Sequence, residues 1–270
     1  MGLGDLGAGG GHLLHRDELP ALPGLGQGQS RRLPQSGHGH EGGAQSLVLL
    51  VHGEADGLRL IDAARANEYI DLFPALIKDW RNKWNNEFPF YWVQLAIFMS
   101  PAKQPSESHW ANLRAAQSKT LALPHTGQAV IIDIGEENDI HPRNKQDVGK
   151  RLALHALHND YGYNSIVCTG PIFQSVKRIG DTLEITFDAC EEQLVARNKY
   201  GYLSGFAIAG ADGKYQWAQA KIENNKVIVW NKEIQQPISV RYAWGDNPDD
   251  ANLYNAAGLP ASPFEGHISL

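Results

Sequence analysis

Only two cysteines, Cys168 and Cys190, occur in 270 residues. Two thiols close at most one disulfide and cannot make a cysteine-rich scaffold or a four-cysteine zinc site. The burial habit of free cysteine favours two free, buried thiols. Long apolar runs are missing too. The longest, Leu47–Val51, falls far short of the roughly 20 residues that span a bilayer. The first residues show no basic start followed by a compact apolar stretch, so no export signal is read there. There is no excess of positive charge: Lys and Arg number 24 against 30 Asp and Glu, a net charge of -6. That balance argues against nucleic acid or an anionic membrane as the main partner. Finally, none of the 8 Phe, 7 Trp and 9 Tyr precedes Tyr69, while 13 of the 28 glycines fall in the first 43 residues. Such a segment has few large side chains to bury and cannot offset its ordering entropy. Residues 1–44 are therefore expected to be disordered or poorly packed. His12, His15, His38 and His40 lie there, and in a glycine-rich tail solvated imidazoles are expected rather than metal ligands.

What is present is ordinary for a globular protein, with 42% hydrophobic and 20% charged residues. The length suits one large domain or two modest ones. Leu47–Val51, ended by Gly53, reads as a buried parallel strand. Tyr69, Leu72, Phe73, Leu76, Ile77, Trp80 and Trp84, at spacings of three and four, form the apolar stripe of a helix. Pro74 within that stripe marks a helix start or a kink. Strands are expected over Phe90–Phe98 and Gln128–Ile134, and helices over Glu107–Leu121 and Lys145–Asn159. Strand alternating with helix implies a parallel sheet covered on both faces. Only about three strands can be traced, fewer than a doubly wound sheet normally has. An open edge and poor solubility in the first third are the expected result. From about Ser165 the pattern changes to short alternating runs divided by turns such as Gly210-Ala-Asp-Gly213, which reads as an antiparallel β-sandwich. The alternating positions of Tyr200, Tyr202, Tyr215 and Trp217 favour core over sugar-stacking roles. The tail from Asn252 is expected to pack as extended chain. The organisation is thus 1–44, then an α/β part over 45–164, then a β-sandwich over 165–270.

Sites in such sheets lie at the carboxyl ends of strands. Two loops qualify: His52-Gly-Glu-Ala-Asp-Gly57, and Gly135-Glu-Glu-Asn-Asp-Ile-His-Pro142. In the second, His141 follows Asp139 by two residues. A serine hydrolase needs an imidazole with one nitrogen free to take the serine proton, and a carboxylate to hold the ring. Alone the pattern is weak. A loop histidine beside an aspartate is more often a helix-capping arrangement, and Pro142 near a first helical turn fits that reading.

Longer strings shift the balance. Six of them resemble, in order, the C-terminal part of the sialate O-acetylesterases. The first three are Arg65-Ala-Asn-Glu-Tyr-Ile-Asp-Leu-Phe-Pro-Ala-Leu-Ile-Lys-Asp-Trp-Arg81, Trp110-Ala-Asn-Leu-Arg-Ala-Ala-Gln117 and Ile132-Asp-Ile-Gly-Glu-Glu-Asn-Asp-Ile-His-Pro-Arg-Asn-Lys-Gln-Asp-Val-Gly149. The others are Gly205-Phe-Ala-Ile-Ala-Gly-Ala-Asp-Gly213, Val240-Arg-Tyr-Ala-Trp244 and Asn252-Leu-Tyr-Asn-Ala-Ala-Gly-Leu-Pro-Ala-Ser-Pro-Phe264. The resemblance implies a partial SGNH-type, flavodoxin-like α/β/α domain followed by an antiparallel β-sandwich. It implies removal of O-acetyl groups from sugars through a Ser-His-Asp mechanism that needs no metal or organic cofactor. His141 matches the family's general base. Asp139 is the nearer carboxylate partner, with Asp133 at the strand end as the other candidate. Family members are commonly periplasmic, secreted or lysosomal.

The sequence departs from the family at two places. The family's glycine-glutamate loop reads Tyr-Gln-Gly-Glu-Ser-Asn. Here it is Val51-His-Gly-Glu-Ala-Asp56, which keeps Gly53 but puts Asp56 where an oxyanion-holding amide is expected. One oxyanion donor is worth about 3–4 kcal/mol, and a carboxylate there would repel the developing charge. The Gly-Gln-Ser-Asn nucleophile block and the Trp-Gly-Gly-Thr block are not found. Gly28-Gln-Ser30 is followed by Arg31 and Arg32, with no strand before it, so Ser30 is not read as the nucleophile. Family-like text stops near Arg65, the pattern that a wrong reading frame or misjudged gene start leaves behind. Two functions therefore compete: a carbohydrate O-acetylesterase or its C-terminal fragment, and a catalytically silent relative with at most sugar binding. A nucleotide-binding protein is disfavoured, because no Gly-x-Gly-x-x-Gly follows a strand.

Overall fold

The computed structural model describes residues 47–48, 63–188 and 193–269. The expectations for residues 1–44, for Ser30 and for Cys190, and the loop bearing Gly53 and Asp56, lie outside them. Three parallel strands, β1 (Leu47–Val48), β2 (Phe90–Val93) and β3 (Thr126–Ala129), form a sheet in the order β1-β2-β3. Strand β2 is aromatic on both faces because both faces are covered. Phe90 and Trp92 meet Phe73 edge-on at 6.0 and 5.2 Å, with Ile77 in the same cluster. These partners come from helix α1 (Ala63–Trp84). Tyr91 turns the other way and clusters with Val148, Leu152 and Ala156 of helix α3 (Lys145–Asn159). Pro74 lies inside α1 rather than at its start. The buried Arg81 ties the end of α1 to the sheet, donating to the carbonyls of Phe88 (3.1 Å) and His125 (3.0 Å). Helix α2 (His109–Lys119) is capped by Ser108, whose hydroxyl accepts from Ala111 N.

The middle strand is shorter than the apolar run predicts. Gln94 N still donates to Ala129 O at 3.0 Å, but from Leu95 side chains replace the ladder: Gln117 Oε1 accepts from Leu95 N, and Arg114 Nε donates to Leu95 O. Strand β3 likewise ends at Ala129, not Ile134. Arg151 takes the Val130 carbonyl and the chain turns, with Ile134 N donating to Ile131 O.

The rest of the chain is antiparallel. A five-stranded sheet has the order β4-β5-β11-β10-β7, using Ile172–Ile179, Thr182–Asp188, Lys226–Trp230, Gln219–Glu223 and Tyr202–Leu203. A four-stranded sheet runs β14-β12-β8-β9, using Phe264–His267, Ser239–Tyr242, Phe206–Ala209 and Gln216–Trp217. Strands β6 (Leu194–Ala196) and β13 (Leu253–Asn255) pair separately. The tail, expected to pack as extended chain, does so and supplies two strands, and Phe264 stacks on Phe173 at 4.5 Å. Leu183, Ile185, Val227 and Val229 from one sheet and Phe206, Ile208, Val240 and Tyr242 from the other share one apolar core. Ile97 and Ile132 from the parallel part belong to it as well, and all described residues fall in one compact unit.

The core assignment of the four aromatics is corrected. Tyr200, Tyr202 and Trp217 are 67, 54 and 41% exposed. Strands β7 and β9 are two residues long and sit at sheet edges, where alternation does not turn side chains into a core. Tyr215 alone is partly buried, with Arg241 over its ring at 4.0 Å. Cys168 is a free thiol, half-buried rather than buried. Among the described residues no helix is long and apolar enough to cross a membrane.

Candidate active site

The loop bearing His141 hangs between the end of β3 and the start of α3. Gly135 lets it pass close to the preceding segment: a Cβ there would lie 2.7 Å from both the N and the O of Ile97. Glu137 anchors the next turn, its carbonyl accepting from Met99 N (2.9 Å) and its carboxylate from Ser100 Oγ (2.7 Å). Glu136 Oε1 accepts from Arg143 N at 3.0 Å, closing the loop across its base. His141 is exposed at the rim. The Asp139 carboxylate accepts from the backbone N–H of His141 at 2.9 Å, which fixes the two residues relative to each other.

Capping of α3 is done by another pair. Asn144 Oδ1 accepts from Asp147 N (3.1 Å), and its amide donates to the Asp147 carboxylate (2.7 Å). An anion in the first turn also suits the helix dipole. Asp139 and His141 are therefore not needed as a cap, and Pro142 lies before the helix rather than in its first turn.

Asp133 has a different environment. Its side chain is only 14% exposed. Arg151 donates to both of its oxygens, at 2.6 and 2.7 Å. Tyr254 Oη donates to Oδ2 at 3.1 Å, and Arg197 approaches to 3.8 Å while lying over the Tyr254 ring. This carboxylate joins the end of β3, α3 and β13. The structure thus puts Asp139 beside His141 and engages Asp133 with Arg151. Among the described residues no three His, Cys, Asp or Glu side chains are placed to hold a metal ion.

No family model matches the chain. The sialate O-acetylesterase of Mus musculus is 28% identical over 229 residues, covering 74% of this chain and 41% of the mouse protein. The Homo sapiens sialate O-acetylesterase is 27% identical, covering 74% and 43%. Among solved structures, a carbohydrate acetylesterase from Xanthomonas citri matches with a TM-score of 0.70 at 46% identity, over 75% of this chain and 46% of that one. The chain is related to these acetylesterases over 74–75% of its own length. It spans less than half the length of these relatives.

Within this sialate O-acetylesterase relative, one cluster escaped sequence reasoning. Arg114, in the Trp110–Gln117 string, has no exposed surface. Its guanidinium donates to the carbonyls of Leu95 (2.9 Å), Ala96 (2.6 Å), Gly245 (2.6 Å) and Asp246 (3.0 Å). Burial pushes its pKa down to about 9, so it remains charged at neutral pH. Ser108 Oγ donates to Asp246 Oδ1 at 2.6 Å beside it. The segment that leads from β2 is thereby fastened to the turn after β12. An arginine inside a helix string carries no sequence signal of burial, because long charged side chains are almost always exposed.

Proposed function

We propose that this chain carries the general-base loop of a carbohydrate O-acetylesterase of SGNH type. Residues 45–164 would be the C-terminal part of its α/β/α domain and residues 165–270 its β-sandwich. The substrate class is an O-acetylated sugar, as the names of the relatives suggest. One observation carries the reading. Asp139 and His141 are held together on a loop at the end of a parallel strand, while Asn144 and Asp147 cap the following helix. Helix capping therefore does not account for the pair.

In that chemistry the His141 imidazole takes the proton of a serine hydroxyl as the oxygen attacks the acetyl carbonyl. It then returns the proton to the departing sugar oxygen. Water, deprotonated by the same ring, releases acetate from the acyl-serine. Asp139 orients the imidazole and stabilises the imidazolium. Asp133, engaged by Arg151, would position the loop, a role that fits its environment better than that of ring partner. Gly53 would offer a backbone N–H to the oxyanion, a task for which Asp56 is poorly suited as a carboxylate. The serine belongs to a Gly-Gln-Ser-Asn block that this sequence lacks. That absence favours a second reading, a silent relative.

Two assays separate the readings. The purified chain is tested for p-nitrophenyl acetate hydrolysis beside His141→Ala. The region from Arg65 onward is then joined to the serine-bearing part of the Xanthomonas citri acetylesterase. Hydrolysis by this chimera that disappears with His141→Ala supports the esterase reading. A folded chimera that is inactive, or that ignores the substitution, leaves the silent reading.

A further inference from the structure

Away from the His141 loop, the antiparallel part holds a groove that the esterase chemistry does not use. It opens where β7 and β9, the end strands of the two large sheets, come together. Its volume is about 660 Å³, within the roughly 300–1,000 Å³ of small-molecule sites. Tyr200, Tyr202, Trp217 and Trp230 line it. The two tyrosine rings are nearly parallel and stacked, with planes 14° apart and centroids at 5.9 Å. Large aromatic rings left in water lose the burial that normally stabilises them, so a group of them facing one groove marks a binding surface.

The backbone that carries these rings is fixed. Asn198 Oδ1 accepts from the N–H groups of Tyr200 (2.9 Å) and Gly201 (2.8 Å), and its amide donates to Tyr202 O (2.7 Å). Asn252 donates to the same carbonyl at 3.1 Å and accepts from Ser204 N at 2.8 Å. The Trp217 indole N–H donates to Lys103 O at 3.2 Å, and Asn231 holds the Trp217 carbonyl at 2.9 Å. A ligand meeting this surface would find its ordering cost already met. The groove also continues. Tyr202, Ser204 and Asp250 line a second cavity of about 520 Å³ as well, and that one reaches Asp133 and Tyr254. A trough therefore runs from Trp217 towards the segment that carries His141.

We propose that this trough binds a neutral oligosaccharide chain, with sugar rings laid on Tyr200, Tyr202 and Trp217. Flat aromatic faces suit the C–H faces of pyranose rings. Gln219 and Ser204 offer both donors and acceptors to hydroxyl groups. Charge argues against a polyanion: Lys221 of the first cavity is paired with Glu223 at 3.0 Å, and Asp133, Asp249 and Asp250 outnumber Arg197 in the second. Acetyl-bearing units would be brought to the loop by a chain gripped beyond the scissile bond. The binding is read without turnover, so it stands or falls separately from the esterase reading.

The test is affinity electrophoresis of the full chain in native gels containing hydroxyethylcellulose, glucomannan, arabinoxylan or, as the anionic control, polysialic acid. Retardation by at least one neutral polysaccharide is expected. Tyr200→Ala with Tyr202→Ala, and separately Trp217→Ala, should weaken it at least about tenfold. Tyr202→Phe, which keeps the ring, should retain it, and matched melting temperatures show that the variants fold. Migration unchanged in all three neutral gels would overturn the proposal. So would retardation by polysialic acid alone, or retardation that the alanine variants leave intact.

Discussion

Arg114 and His141 each sit in a family-like string of this chain, yet the molecule treats them oppositely. Arg114 is sealed between the parallel and antiparallel parts, with its donors spent on four carbonyls. His141 stands exposed on a loop whose fixed points are Gly135, Glu136 and Glu137. Both strings carry family text, for different reasons. One residue supports the frame; the other is offered by it. Substitution separates the two cases, because the cost of losing a buried charged group falls on folding and the cost of losing an exposed one does not.

The widest gap is expected from Arg114→Met. It removes the donors of four carbonyls, two of which belong to the turn at Gly245 and Asp246. Breaking a buried, hydrogen-bonded charge site typically costs about 3–5 kcal/mol. Urea denaturation should show the midpoint falling by that equivalent, and Arg114→Lys should recover only part of it, since an ammonium cannot span the same fork. A variant within about 0.5 kcal/mol of the parent would mean that the joint is not structural.

Gly135→Ala tests what the loop asks of the frame. The new Cβ would meet Ile97 backbone, which has little freedom to move because Arg114 holds the neighbouring carbonyls of Leu95 and Ala96. Overpacking of this kind costs about 1–3 kcal/mol. The same substitution at Gly149, where a Cβ meets nothing within 4 Å, should be harmless or stabilising, because alanine is the better helix former. Comparing the two midpoints checks it.

Much of this was legible in sequence. The bounds of α3 follow from helical periodicity, as does the stripe of α1 except at Leu72 and Trp84, which are 62 and 60% exposed; apolar runs gave the order of the parallel strands, although β3 shares only Gln128 and Ala129 with the run expected for it. What could not be read was where the strands stop. Beyond Gln94 and Ala129 the ladder yields to side-chain donors, Arg114 and Arg151, that lie far along the chain. Tyr202 and Trp217 misled for a related reason: period-two alternation says which face a residue takes, not whether another sheet covers that face. At the site, the nearness of Asp139 to His141 came from spacing. The commitment of Asp133 to Arg151, Arg197 and Tyr254 did not, because these partners lie far along the chain, Tyr254 being 121 positions away.

His155 gives a smaller effect with a definite sign. It is buried against Tyr91, with rings 5.6 Å apart, and its Nε2 donates to Gln128 O at 3.0 Å. Burial holds its pKa below the ordinary value. Below about pH 6.5 the unfolded chain therefore takes up a proton that the folded chain refuses. Stability should be full above that pH and fall as pH drops towards the folded value, by at most about 1.4 kcal/mol per pH unit for one proton. Denaturation at pH 7 and pH 5 should show the loss, and His155→Phe should flatten this part of the slope.

His141→Ala is expected to do least to the fold. The side chain is exposed, and the Asp139 contact uses the backbone N–H, which alanine keeps. The change in stability should stay within about 0.5 kcal/mol, measured by the same urea titration used for Arg114→Met. In the serine-bearing chimera, the substitution that the fold ignores should remove hydrolysis, since His141 is the only imidazole of the loop. A loss of stability comparable to that of Gly135→Ala would instead make His141 part of the loop's scaffold. The contrast with Arg114 would then be one of degree, with both residues serving the frame.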